Sequence, residues 1–183
     1  MTHWVDKYLV PLSACIEALS KAREYPNPQS AWDAWDNGGD LLWALRVTNN
    51  DSAKRVLCVC DIVDRVLPIF EHASPKDRRP REALEAARRY MSHPTVENKH
   101  SLNDAIVLAQ AALVTVALRA AEVARAAIYA AYAAYGAGSL VYRTSNAAYL
   151  ARNVADDAER KAQADIVRKY FPRGPLTESM VTP

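Results

Sequence analysis

Cys58 and Cys60, with His72 further along the chain, supply the thiolate and imidazole donors that zinc prefers. On a helix, positions two apart point about 200° from each other, so these two sulfurs cannot converge on one ion. They read instead as buried apolar cysteines. Glu97-x-x-His100 has the spacing used in carboxylate-bridged di-iron bundles. Such a centre needs a second copy of the motif and two more glutamates aimed into an apolar core, whereas this copy lies in a polar stretch, so Glu97 and His100 read as solvated. Asp61 with Asp64, and Asp33 with Asp36, fall at helical spacing on one face. Paired carboxylates do acid and base work when burial separates their proton affinities. The commoner outcome is that they face water or pair with a neighbouring cation, here Arg55, Arg65 or Lys54. No glycine-rich phosphate loop, nucleophile elbow or HExxH occurs. We therefore assign no catalytic residue, no metal ligand and no cofactor; a helical-bundle metal enzyme built on Asp61, Asp64, Glu97 or His100 is the alternative of a different class.

Two segments have the chemistry of recognition. Lys76, Arg78, Arg79, Arg81, Arg88 and Arg89 crowd together against Asp77, Glu82 and Glu85, a local basic density suited to an acidic partner or a phosphate. Its plainer reading is a solvated face, or a loop pinned to nearby carboxylates. Trp32, Trp35 and Trp43 interleave with Asp33, Asp36 and Asp40, the mixture that anchors interfaces; core packing is the expectation for at least two of the three tryptophans. The candidate partner-binding residues are Lys76, Arg78, Arg79, Arg81, Arg88, Arg89, Asp33 and Asp36.

These side chains must be positioned by helices. From Ala117 to Ala134 ten of eighteen residues are alanine, and tyrosines follow at 129, 132, 135, 142 and 149. Alanine loses no rotamer entropy in a helix, and it keeps the helix thin, so neighbouring backbones approach closely while tyrosines fill the gaps. At 183 residues, with half of them hydrophobic and only five glycines, the chain suits one all-α domain over 1–171 with an irregular tail over 172–183. The 23 basic and 21 acidic residues leave a formal charge of +2, which argues against direct nucleic-acid binding. An odd set of three cysteines fits reduced thiols, and the N-terminus lacks the pattern of a signal peptide, so a cytoplasmic protein is expected. The most apolar run, 105–118, is shorter than a membrane span and belongs in a core.

In order, a short amphipathic lead over 1–10 carries Trp4 and Tyr8. About seven helices follow. Leu12–Glu24 shows an apolar face of Leu12, Cys15, Ile16 and Leu19. Asn27 caps the next, with Pro28 at its first position, until Asn37-Gly-Gly stops it. Asp40 caps a helix through Val47 that closes at Asn49-Asn50. Asp51 or Ser52 opens a longer one that Pro68 kinks or ends near Phe70. Pro80 begins a fifth, Arg81–Met91. After a polar connector over 93–100, a sixth runs from Leu102 to Tyr135. Gly136 and Gly138 let the chain reverse into a seventh that reaches Tyr170, an antiparallel Ala/Tyr-rich hairpin; one very long helix is the alternative.

Three blocks, Ala31-Trp-Asp-Ala-Trp-Asp-Asn-Gly-Gly-Asp-Leu-Leu-Trp43, Asp77-Arg-Arg-Pro-Arg-Glu-Ala-Leu84, and the alanine and tyrosine spine ending in Gln163-Ala-Asp-Ile-Val-Arg-Lys-Tyr170, make the chain resemble an alanine-rich family of bacterial immunity proteins. Their order and spacing agree over roughly residues 12–171. Similar genes occur in phage genomes. The resemblance implies a small non-enzymatic protein that inhibits a polymorphic toxin by occupying its surface, or, as a variant, a phage-encoded inhibitor of a host defence component such as a CRISPR effector. It carries over no catalytic residue. Immunity proteins against basic nucleases are usually acidic, and this chain is near neutral, so a nuclease is a poor expectation for the target. Self-association through alanine-rich faces is the third reading, giving a homo-oligomer.

Overall fold

The alanine spine is where packing converges. In α8 (Leu118–Tyr135), nine alanines together with Val123 and Ile128 are buried, a sequence of small side chains covered on almost every side. Because no large side chain holds its neighbours off, α8 is contacted by four other helices: α5 (Ser52–Ala73), α6 (Arg79–Ser92), α7 (Val96–Ala112) and α9 (Leu140–Asn153). The computed structural model describes residues 3–45, 51–114, 116–136 and 140–174. Among them are ten helices, the remainder being α1 (Trp4–Tyr8), α2 (Ile16–Ala22), α3 (Pro28–Ala34), α4 (Gly38–Ala44) and α10 (Asp157–Tyr170). The all-α class is as read from the sequence; the count of seven is corrected to ten.

One of the three extra helices is α1, in the N-terminal lead; the other two come from breaks inside the two long C-terminal helices expected from composition. Leu102–Tyr135 is two helices, separated where Val114, Thr115 and Val116 place three β-branched residues in a row, and Ala117 adopts an extended backbone (φ −62°, ψ 155°). The expected helix to Tyr170 divides at Asp156, whose carboxylate accepts the Glu159 N–H at 2.9 Å to start α10, the Asp-x-x-Glu signature of a capped N-terminus. The polar connector over 93–100 is largely helix as well: Thr95 accepts the Asn98 N–H at 3.2 Å and opens α7.

Elsewhere the local signals hold or shift by a few residues. Asn27 caps α3 with Pro28 first, and Asp51 caps α5. Asn37, not Asp40, caps α4, accepting the N–H groups of Gly39 and Asp40, so Asn37-Gly-Gly begins one helix as much as it ends another. Glycine suits position 38 because a Cβ there would lie 3.1 Å from the Gln163 backbone, a tight contact where α4 packs on α10. α5 does not stop near Phe70; it passes Pro68, which lies on its exposed side, and closes at Ala73 with Ser74 N–H bonded to the Phe70 carbonyl. The expected helix over 12–24 is shortened to α2, and Cys15 and Ile16 point outward instead of forming an apolar face, Ile16 being 81% exposed. The stretch 46–50 and residues 175–183 lie outside the described residues, and with them the expected end of α4 at Asn49-Asn50 and most of the expected tail.

The chain does turn at Gly136, whose φ of 80° is the left-handed conformation that favours glycine, and α9 packs along α8. The tyrosines are less buried than gap-fillers should be. Tyr142 sets its edge against Tyr129 at a 6.4 Å ring separation, and Arg143 lies 4.5 Å over the Tyr132 ring, yet Tyr142 and Tyr149 remain 59% and 52% exposed. None of the described helices is long and apolar enough to cross a membrane.

Candidate functional site

Asp61, Asp64 and Glu71 line one side of α5, and Arg81 and Arg88, two turns apart on α6, face them. Arg88 forks across both aspartates, donating at 2.7 Å to Asp61 and at 2.6 Å to Asp64. Arg81 donates to Glu71 and, at 3.4 Å, to Asp64. From the last turn of α10 the Tyr170 hydroxyl donates to Asp61 at 2.7 Å. One turn further along α5, Arg65 grips Glu159 of α10 through two bonds of 2.8 and 2.9 Å. Asp61, Asp64, Arg81 and Arg88 are each about one-third exposed, so the bonds are partly shielded from water and salt. Burial first, and the bond to Asp61 second, hold the Tyr170 phenol above its ordinary proton affinity.

The acid pair and the basic segment, singled out separately in the sequence, are therefore two halves of one network. Neither aspartate pairs with the cations expected of it. Arg65 goes to Glu159, Lys54 lies 5.5 Å over the Phe171 ring, and Arg55 is buried, giving the Leu45 carbonyl a 2.6 Å bond. Two carboxylates held by two guanidiniums and a phenol brace three helices together.

Of the six cations in the basic segment, Arg79, Arg81 and Arg88 are engaged internally, Arg79 by a two-point grip on Asp77 at 2.8 and 2.7 Å. This grip, with Arg79 N–H also donating to Asp77, holds the Asp77 carboxyl below the usual carboxylate range and fixes the α5–α6 turn. Lys76, Arg78 and Arg89 are exposed, with Arg78 only 3.9 Å from Glu85. Outward from α6 two acids, Glu82 and Glu85, lie between Arg78 and Arg89, so the density seen in the sequence becomes a mixed stripe with a basic corner at Lys76 and Arg78.

The tryptophan segment folds into a different place. Trp32 and Trp35 are buried and Trp43 half-buried, and with Trp4 all four tryptophans of the chain wall an apolar cavity of about 60 Å³. Three indole N–H groups are fixed by hydrogen bonds, to the carbonyls of Tyr25 and Phe171 and to Asp40. Asp33 and Asp36 do not form a pair. α3 ends at Ala34; Asp33 accepts from Gln29 at 2.7 Å, and Asp36 meets Lys21 at 2.6 Å, a bond that draws its proton affinity down. Arg168, which no local motif marks, caps the end of α3 by donating to the carbonyls of Trp32 and Trp35. Tyr170 was findable: Gln163, Val167 and Tyr170 form an i, i+4, i+7 stripe on α10.

The candidate metal ligands are apart. Cys58 and Cys60 are both buried, and His72, Glu97 and His100 are exposed. Among the described residues, no three His, Cys, Asp or Glu side chains are grouped so as to hold an ion. Burial pushes the Cys60 thiol up to about 12, despite the Arg88 charge beside it, and pushes Cys58 up as well. With a thiol-disulfide reagent at pH 8, exposed Cys15 is expected to react at once in the native protein, and Cys58 and Cys60 only as it unfolds. Fast titration of all three thiols would contradict the packing of α5.

Fold and network together define an all-helical, ionically cross-braced bundle. Searched against protein-family profiles, curated proteins and solved structures, the chain finds no match.

Proposed function

We propose that this protein is a non-enzymatic inhibitory binding protein that sequesters a protein toxin. The observation that carries the reading is the α5–α6 corner, where Lys76 and Arg78 stand exposed on a turn fixed from within by the Asp77–Arg79 grip and, a few residues on, by the Arg81 and Arg88 bonds to α5. A turn whose backbone is already fixed spares the cost of ordering it on binding, so more of its contact energy appears as affinity. Its charge suits an acidic patch on the partner, in keeping with a target other than a basic nuclease. The resemblance to alanine-rich immunity proteins points the same way.

The test is charge reversal on the exposed cations only. Lys76→Glu, Arg78→Glu and Arg89→Glu together should leave helicity and melting temperature nearly unchanged, because among the described residues none of these side chains makes an ion pair closer than the 3.9 Å of Arg78 to Glu85. They should weaken the captured complex at least roughly tenfold at 50 mM salt and much less at 500 mM, as expected of interactions that salt screens. Equal affinity at low salt would remove this corner from the interface.

A further inference from the structure

The hollow walled by all four tryptophans has a chemistry that narrows the ligand it can take. It lies among the first four helices; Trp32 and Trp35 are buried, while half-buried Trp4 and Trp43 bring it to the surface. Of its twelve lining residues only Asp40 is charged. The indole N–H groups of Trp4, Trp32 and Trp35 are committed to the Tyr25 carbonyl, the Phe171 carbonyl and Asp40, so these rings are held in place with their donors already used. An anion gains nothing from them. Asp40 accepts from Trp35 at 3.1 Å and from Asn37 at 2.7 Å, both at the same oxygen, and makes no ion pair among the described residues. Lys21, 5.1 Å over the Trp35 ring, pairs with Asp36 instead.

We propose that this hollow binds a methylated ammonium group. The face of an indole attracts a cation, as the position of Lys21 over Trp35 illustrates, and the Asp40 carboxylate supplies the opposite charge. The walls choose among cations. A primary ammonium or a guanidinium brings three to five N–H donors to a hollow with one acceptor side chain, and its remaining donors would be buried unpaired. A trimethylammonium group has no N–H to satisfy. At about 60 Å³ the cavity has room for roughly four or five water-sized groups, which matches one nitrogen and its attached carbons. None of the lining residues belongs to the α5–α6 corner, so binding here is independent of that surface.

Because no tryptophan lies elsewhere in the chain, tryptophan fluorescence reports this hollow alone. Titrating the full chain with choline chloride at constant ionic strength should shift the emission and saturate below about 10 mM. The neutral isostere 3,3-dimethylbutan-1-ol, with carbon in place of the choline nitrogen, should bind at least about tenfold more weakly. Asp40→Asn keeps an oxygen for the Trp35 and Asn37 donors, so it should retain its helicity by circular dichroism. It should lose about tenfold in choline affinity and leave that of the neutral isostere unchanged. A trimethyllysine peptide that binds more tightly than choline supports the site with a protein as the source of the group; choline binding as tightly or better supports it with a free small molecule as the source. No spectral change up to 50 mM choline overturns the proposal. So does equal affinity for choline and its neutral isostere, or a choline affinity that Asp40→Asn leaves unchanged.

Discussion

Arg88→Ala should be among the most damaging single changes in this protein. It deletes a guanidinium that forks between two carboxylates and leaves Asp61 and Asp64, one turn apart on α5, with only the Tyr170 hydroxyl and one 3.4 Å contact from Arg81. Breaking a fully buried pair by removing one partner costs about 3–5 kcal/mol, and one-third exposure of these groups brings the expected loss to about 2–3 kcal/mol. In a chain of this length that corresponds to a fall of roughly 5–10 °C in melting temperature. The mechanism makes a second claim: the loss comes from carboxylates left behind. Arg88→Met combined with Asp61→Asn and Asp64→Asn keeps the buried stem and removes the orphaned charge, so it should regain most of the stability, with a coupling above about 1.5 kcal/mol. Additive effects, or a single-mutant loss below about 0.5 kcal/mol, would reduce the network to a surface decoration.

Trp32→Ala should cost more, about 3–5 kcal/mol, because an almost fully buried indole is replaced by a methyl group beside an existing cavity. The damage is directional. The Trp32 indole donates to the Phe171 carbonyl at 3.0 Å, the ring packs within 3.0–3.3 Å of the space where a Gly174 side chain would be, and the Trp32 carbonyl accepts from Arg168. Losing it should release the end of α10 first, so limited trypsin should cut at Arg168, Lys169 or Arg173 well before the bundle unfolds. Trp32→Phe keeps most of the ring but leaves the Phe171 carbonyl without its donor, for an expected cost of about 1–2 kcal/mol. Cleavage at these sites that is no faster in the alanine variant would show that the packing of α10 on α4, α5 and α9 holds it without Trp32.

Composition made the fold class legible, and short capping signals made several starts legible, Asn27 and Asp51 among them. Breaks inside alanine-rich helices were harder to read. The sum of alanine propensities over 102–135 outweighs three β-branched residues in any window average, although α7 ends at Ala112 and α8 begins only at Leu118. Asp156 carried an equally local signal, a carboxylate three residues before Glu159, masked by the helical sequence on both sides. The site was legible as parts. Asp61, Asp64, Arg81 and Arg88 stand out by type and spacing, but which cation meets which acid depends on the packing of α5 against α6, and no spacing within one helix reports that. The same limit hid Arg168, whose partners lie 133 and 136 residues away in sequence. The apparent basic patch misled because it was counted along the chain; around α6 its charges divide between an inward pair and an outward stripe of mixed sign.

The central claim is that this bundle acts by holding another protein. The most direct measurement is capture of the full chain from cells that also express its neighbouring genes, with bound proteins identified by mass spectrometry and the complex sized at two salt concentrations. The account predicts one partner in stoichiometric amount, lost on charge reversal at Lys76, Arg78 and Arg89, whose toxic activity the bound protein suppresses. Recovery of the chain with only copies of itself, and no effect on the toxicity of any neighbouring product, would contradict it.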